Sequence, residues 1–444
     1  MLGQQFLHAL LALCVALMQL VPALARSATG DRALLVFDDR VDEIAQYSQL
    51  VESLKNEHGL AVDTVELSDK AARVDLFDRD IRLYDHLMVF PVKGKHFAKQ
   101  LAAKKLLRFT EDGGNVVAIT APRVASDSIH QYLNQLGIYP APRTQHLVDL
   151  VSGSDVISAA PDASLNTHVY ADAALTFGDN VSPALLDNRP QIVPLVRASK
   201  SSIALSANKT REQSWTQGAQ GYLAAAFQNN QNARALWLGS VQMLNNANFA
   251  QNAKALGDML QWTFQEKAVL KVTGVSHAHI SGESYDVLPY KVTDDVMYNI
   301  SISQWDGAAA QWVPYVADDV QFELRQIDPY YRITMQALGP DPQDATGASE
   351  LYSTGAFKMP NRHGMFTFAT DYKRQGVSYL SEQDVKAIRH LANDEYPRSW
   401  EITNAWVYAA AIASVIASFV AFVFFFITAP ASLSDGFTTE KKKN

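Results

Sequence analysis

The longest uncharged stretch sets the first limit on what this chain can become. No Asp, Glu, Lys or Arg occurs between Glu401 and Asp435, and Trp406 to Ile427 is almost wholly apolar. About 20 such residues cross ~30 Å of hydrocarbon as a helix. In lipid a lone segment satisfies its backbone groups only as a helix, so a single membrane-spanning helix is expected over 405–428. Trp406 and Tyr408 stand at its beginning, where amphipathic rings prefer the headgroup layer. Lys441, Lys442 and Lys443 follow it, with Arg398 near the other end. The positive-inside rule then puts the 429–444 tail in the cytosol and all preceding mass on the lumenal side. Ala405, Ala409, Ala413, Ala417 and Ala421 recur every fourth residue and form a slowly winding small-residue stripe, a candidate surface for helix packing.

Both ends address the chain to the secretory pathway. Phe6 to Leu20 is a short apolar run followed by Val21-Pro22-Ala23-Leu24-Ala25, which predicts a signal peptide over 1–25 with cleavage after Ala25. The first five residues lack Lys and Arg, and a first membrane helix is the competing reading. Lys441 and Lys442 lie four and three places from the carboxy terminus, the arrangement of a dilysine retrieval signal of the endoplasmic reticulum. A lipid-binding basic cluster would look similar. The sole cysteine, Cys14, falls inside the signal, so the mature chain has no disulfide, thiol nucleophile or cysteine metal site. A net charge of −8 argues against a nucleic-acid partner.

From 26 to 267 strands and helices alternate. Ala33–Phe37, Leu60–Leu67, His86–Pro91 and Asn115–Thr120 read as strands. Ile44 to Leu54, Phe97–Phe109 and Ser126–Leu136 have helical periodicity. This order predicts an α/β domain with a parallel sheet, flavodoxin-like or class I glutamine amidotransferase-like. Arg234–Leu238 and a helix near Phe249–Phe264 would complete it, after a less regular insertion over about 145–220. Between 268 and 395 short alternating runs (Val292–Ile302, Val320–Ile327, Gly364–Tyr372, Gly376–Leu380), broken by Pro, Gly, Asp and Asn, predict one or two β-sandwich units.

The residues offer little chemistry. Gly282-Glu283-Ser284-Tyr285-Asp286 approaches a nucleophile elbow but lacks its last glycine and the strand–helix setting. His277 and His279 share a strand face without an obvious third metal ligand. Asp112-Gly113-Gly114-Asn115 precedes a strand, not a helix, and so reads as a helix stop instead of a phosphate loop. Asp38, Asp39 and Arg40 sit at the carboxyl edge of the first strand, where turn and capping roles compete with ligand binding. No catalytic residue, metal ligand or cofactor is assigned. Asn180, Asn208 and Asn299 open Asn-x-Ser/Thr sequons and are candidate glycosylation sites, the first weakened by Pro183.

The ordered segments ALLVFDD (33–39), DGGN (112–115), LGS (238–240), WTFQEKAVLKVTGVS (262–276), WVPY (312–315), VQFELRQIDPYY (320–331), FKMP (357–360), HGMF (363–366) and YPR (396–398), with the dilysine ending, resemble the type I, non-catalytic subunit of the eukaryotic oligosaccharyltransferase, the DDOST family, especially its fungal Wbp-type members. The resemblance spans the whole chain. It implies an amidotransferase-like domain without catalytic residues, β-domains and one span. It also implies an assembly role in the complex that moves an oligosaccharide from dolichyl diphosphate to Asn of Asn-x-Ser/Thr. The implied partners are the multi-spanning catalytic subunit, ribophorin-II-like and DAD-like subunits, and the dolichyl-linked oligosaccharide. The catalytic subunit's Trp-Trp-Asp signature is absent; Gln304-Trp305-Asp306-Gly307 does not match it. The alternative reading is a carbohydrate-binding or cargo protein of the endoplasmic reticulum lumen with the same topology.

Overall fold

A computed structural model describes residues 26–67, 72–93, 100–122, 124, 126–151, 153, 156–206, 214–396 and 404–428. The expected signal peptide, the sequon at Asn208 and the tail with Lys441 and Lys442 lie outside the described residues.

The first domain forms because its strands are apolar on both faces. Its elements are β1 (Arg32–Phe37), α1 (Ser48–Asn56), β2 (Ala61–Glu66), β3 (His86–Val89), α2 (Ala103–Glu111), β4 (Asn115–Ile119), α3 (Asp127–Leu136), β5 (Ile138–Pro140), β6 (Ala184–Leu186), β7 (Ile192–Arg197), β8 (Tyr222–Gln228), β9 (Arg234–Leu238) and α4 (Asn246–Thr263). The main sheet runs β2-β1-β3-β4-β9-β8-β6-β5, with β7 also paired to β8. The first five strands in that order are parallel. They have the 2-1-3-4-5 order of flavodoxin-like sheets.

Strand alternation sends successive side chains into two cores. Ala33, Leu35 and Phe37 pack with Leu50, Leu54, Leu256 and Leu260 on the α1/α4 face. Leu34 and Val36 pack with Leu106, Phe109, Tyr132 and Leu133 on the α2/α3 face. Helix α3 ends where Gly137 adopts φ +89°, a left-handed stop.

The sequence reading needs two adjustments here. The helix expected from Ile44 begins as a 3-10 turn, Ile44–Tyr47, before α1. The less regular insertion supplies strands: β6 to β8 join antiparallel, making the sheet mixed at that edge. Their alternation was masked because Leu223 to Ala226 are buried on both faces, like a central strand.

The second domain is one sandwich among the described residues. Its strands are β10 (Leu270–His279), β11 (Asp295–Asp306), β12 (Gln311–Pro314), β13 (Gln321–Arg325), β14 (Pro329–Thr334), β15 (Gln336–Pro340), β16 (Glu350–Lys358), β17 (Gly364–Tyr372) and β18 (Leu380–Ile388). One sheet is β10-β11-β16-β15 with β12 on β11; the other is β14-β13-β17-β18. Val296, Tyr298, Ile300 and Ile302 face Phe322, Leu324, Phe366 and Phe368 across the core.

The strand expected over Gly376–Leu380 is instead the seam between domains, and the edge strand β18 starts at Leu380. Gly376 has φ +90°, outside a strand's range. The neighbouring backbone spends its hydrogen bonds on the first domain. Trp262 Nε1 donates to Gly376 O at 2.7 Å and Gln228 Nε2 to Val377 O at 2.9 Å. Asn232 brackets Tyr379, donating to its carbonyl at 3.0 Å and accepting from its amide at 2.7 Å.

Helix α5 (Ala405–Thr428) buries none of its residues against the rest of the chain. It is the one helix among the described residues long and apolar enough to cross a membrane.

Candidate functional site

The carboxyl edge of the parallel sheet is the usual ligand position in such folds, and here an ion pair fills it. Asp38, 1 % exposed at the end of β1, accepts from Arg40 Nε at 2.8 Å and Nη2 at 2.9 Å. It also accepts from the amides of Arg40 at 3.2 Å and Lys93 at 3.1 Å. Burial pushes its carboxyl up, but these donors outweigh it and hold it below the usual range. A turn accounts for the Arg40 bonds, whereas the Lys93 amide comes from the segment after β3.

The helix stop at Asp112-Gly113-Gly114 is equally structural. Gly113 has φ +88°, and Arg82 Nη1 donates to Asp112 O at 2.8 Å.

His277 and His279 share a strand face yet serve different neighbours. His277 bonds the Tyr290 hydroxyl through Nδ1 at 2.7 Å and Asp384 through Nε2 at 2.9 Å. His279 bonds Leu288 O through Nε2 at 2.9 Å. Among the described residues no group of three His, Cys, Asp or Glu is placed to hold a metal. Ser284 does line a groove with His277 and Asp384, a proximity sequence spacing could not reveal. Both imidazole nitrogens are already engaged by Tyr290 and Asp384, so the ring has no position from which to deprotonate a serine. Burial raises the Tyr290 phenol, which keeps it protonated at neutral pH.

Of the sequons, Asn180 has φ +56° and donates to Asp179 Oδ2 at 3.2 Å. Asn299 lies mid-strand in β11, with Oδ1 buried and unpartnered, and its Ser301 hydroxyl donates to Asp341 Oδ2 at 2.5 Å. Ala405, Ala409, Ala413, Ala417 and Ala421 all fall within exposed α5.

One group that sequence reasoning missed is Arg234. It is fully buried and meets no carboxylate. It donates to the carbonyls of Trp262, Lys267 and Ala268, each at 2.7 Å, and to Gln228 and Ser378 side chains at 3.2 Å. Its guanidinium lies 4.6 Å from the Trp262 ring centroid. Burial lowers its pKa to about 9, still cationic at neutral pH. An arginine opening an apolar strand was the only available signal.

These features define a two-domain chain with one helix long and apolar enough to cross a membrane, whose polar residues are hydrogen-bonded within each domain and, around Arg234, across the seam. The chain matches the OST48 N-terminal domain over residues 24–266 and the OST48 middle domain over residues 277–430. It is 42% identical over 418 residues to the dolichyl-diphosphooligosaccharide–protein glycosyltransferase subunit WBP1 of Saccharomyces cerevisiae, covering 93% of this chain and 94% of that one. It is 29% identical to the corresponding wbp1 subunit of Schizosaccharomyces pombe, again over 93% and 94% of the two chains. A ThuA-like protein of Parabacteroides merdae aligns at 14% identity with a TM-score of 0.28, over 53% of this chain and 91% of that one; a likeness this weak carries no argument. The chain belongs to the OST48 family.

Proposed function

We propose that this chain is an assembly subunit, without catalytic residues of its own, of the oligosaccharyltransferase complex that glycosylates asparagine in Asn-x-Ser/Thr. The carrying observation is the match over 93% of the chain to subunits named for that enzyme, at 42% identity for one of them. Site chemistry supports the non-catalytic part. Asp38, His277 and Asp384 are committed to ion pairs and hydrogen bonds within the fold.

The proposed topology is a lumenal N-terminal mass, one span in the endoplasmic reticulum membrane and a cytosolic tail, supported by the apolar α5 and the lysines after it. The proposed partners are the multi-spanning catalytic subunit and the ribophorin-II-like and DAD-like subunits. Because α5 has no contact burying it within the chain, its neighbours are lipid and other proteins' helices. The alanine stripe permits close backbone approach there.

A native pull-down in mild detergent tests the assembly reading. It should recover a multi-spanning glycosyltransferase in stoichiometric amount. The purified chain alone should transfer no glycan from a lipid-linked donor to an acceptor peptide. Robust transfer by the isolated chain would refute the non-catalytic reading, and absence of the multi-spanning partner would refute the assembly reading. Ala413→Leu with Ala417→Leu should loosen the complex without blocking insertion, whereas Phe422→Leu with Phe425→Leu should matter less. Equal copurification by wild type and the alanine mutant would remove the stripe from the assembly.

A further inference from the structure

We infer that the end of the β-sandwich away from the first domain rests on the lumenal leaflet of the bilayer, its exposed apolar loop tips entering the headgroup layer. The inference rests on the proposal that α5 spans the membrane. Strand pairing gathers several strand ends there. His279, ending β10, pairs with Val296 near the start of β11, and Asp295 pairs with Lys358, ending β16. Gly364, opening β17, pairs with Ile388, ending β18. The sheets are tied together at this end: Val292 N donates to Arg389 O and Arg389 N to Tyr290 O, both at 3.0 Å. Arg325 of β13 pairs with Thr367 of β17, so the turn after β13 lies at the same end. The other ends of β17 and β18, at Tyr372 and Leu380, adjoin the seam with the first domain. Each of these strands has nine residues, so about 30 Å separates the two ends.

This end exposes apolar side chains. Ile327, in the turn after β13, is 93% exposed, Val287 75% and Ile280 55%, and Leu288 and Tyr396 are also exposed. The turn carrying Val287 is not slack. Its amide and that of Leu288 both donate to Ser284 O, at 3.1 and 3.0 Å, and His279 Nε2 bonds Leu288 O at 2.9 Å. The Tyr285 hydroxyl accepts from Ala387 N at 3.3 Å, and the Tyr285 and Tyr290 rings pack 5.2 Å apart. With its backbone bonded inward and its tyrosines packed, the turn presents Val287 and Leu288 outward. One exposed apolar residue is ordinary, but several at one end of a domain mark a contact surface.

The tether identifies that contact as lipid. The chain leaves β18 at this end, and Glu395 holds it against the sandwich, accepting from Arg389 Nη1 at 2.7 Å and Nη2 at 2.8 Å. Only the seven residues 397–403 then separate Tyr396 from Asn404, next to the start of α5. Such a segment spans at most about 25 Å, so this end of the sandwich is held close to the bilayer. Glu283 and Asp286 are interspersed with Lys291 and Arg362, which leaves no basic patch for anionic lipid. Shallow burial of Ile280, Val287, Leu288 and Ile327 among zwitterionic headgroups is the favourable term, with the carboxylates kept in water.

The test places one cysteine at a time in the full chain, in a Cys14→Ser background, since Cys14 is the only cysteine present. The chain is reconstituted in phosphatidylcholine nanodiscs. A fluorophore on the cysteine is then quenched by lipids carrying a nitroxide at the headgroup. Val287→Cys and Ile327→Cys should each be quenched severalfold more than Ala309→Cys, which is exposed beyond the far end of β11. Adding phosphatidylserine should leave that ratio unchanged; quenching that requires it overturns the apolar contact. Phe419→Cys, inside α5, reports the span separately through a nitroxide deep in the acyl chain. Deep quenching at Phe419, with Val287 and Ile327 quenched no more than Ala309, overturns the contact and leaves the span standing. No quenching at Phe419 overturns both. Protection of Val287 and Ile327 only in the assembled complex, without lipid quenching, overturns the contact in favour of a partner protein. If one labelled variant fails to fold, the other decides.

Discussion

Two buried basic side chains, His86 held neutral and Arg234 held cationic, show how single residues set the stability of the first domain. His86 is 0% exposed between β1 and β4, bonded through Nε2 to Gly30 O at 3.0 Å and through Nδ1 to Asn115 Nδ2 at 3.3 Å. Burial lowers its pKa from 6.5 to about 4. The folded state therefore holds it neutral while the unfolded state protonates near 6.5. Its contribution is complete above pH 6.5 and is lost as pH falls toward 4, by about 3 kcal/mol across that window. Thermal unfolding of the wild type should weaken between pH 7 and pH 5, and His86→Gln should flatten that dependence; equal slopes would refute this. Arg234 acts through its acceptors. In Arg234→Leu the carbonyls of Trp262, Lys267 and Ala268 each lose a charged donor, the first and last keeping the amides of Gln265 and Ser378, with an expected cost of about 3 kcal/mol or more. Limited trypsin digestion should then cut near Lys267 at a rate at least tenfold above wild type.

At the scale of elements, the carboxyl end of β9 is where the fold has least room. Gly239 follows the strand, and its carbonyl accepts from Ser182 N at 2.7 Å. A Cβ there would stand 2.4 Å from Ser182 O and 2.9 Å from Leu223 O, both backbone atoms. Neither strand can yield without breaking sheet pairing, so Gly239→Ala should cost about 1–3 kcal/mol or more. Denaturant unfolding should show an earlier midpoint; a wild-type midpoint would mean that the β6–β8 edge is more pliant than its packing suggests. Gly307 makes a similar close approach at the seam, where a Cβ would lie 2.6 Å from Glu266 O and 3.0 Å from Arg26 O. In sequence, Leu238-Gly239-Ser240 and Asp306-Gly307-Ala308 look like ordinary turns; only the crossing chain segments show how little room each glycine has.

For the whole molecule, the order of parts is domain, sandwich and apolar helix, joined so that the two folded units share a hydrogen-bonded seam. Trp305 Nε1 reaches back to Arg26 O at 2.7 Å, which fastens the start of the first domain to the second. Helix α5 is not buried against either, so the proposed span and retrieval signal can be tested apart from the folded domains. A reporter carrying only α5 and the 429–444 tail should be retained in the endoplasmic reticulum, and Lys441→Ser with Lys442→Ser should release it to later compartments. Unchanged steady-state location of the double variant by microscopy would dismiss the retrieval signal.

The apolar span, the strand–helix alternation through Leu136 and the strand Arg234–Leu238 were legible from sequence because each is a local pattern, set by hydrophobicity and periodicity. The family was legible because its segments keep their order along the chain. What tertiary structure alone decided was where backbone groups without a local partner find one. Gly376 to Tyr379 alternates like a strand but pairs with side chains of the other domain. Arg234 looks like a surface cation opening a strand, yet it is buried against three carbonyls. Ser303 looks like the solvent side of a sheet, yet a loop nearly forty residues later covers it. Periodicity reports which face of an element is apolar; it contains no term for the distant segment that packs against the other face, and burial, pairing and pKa all follow from that segment.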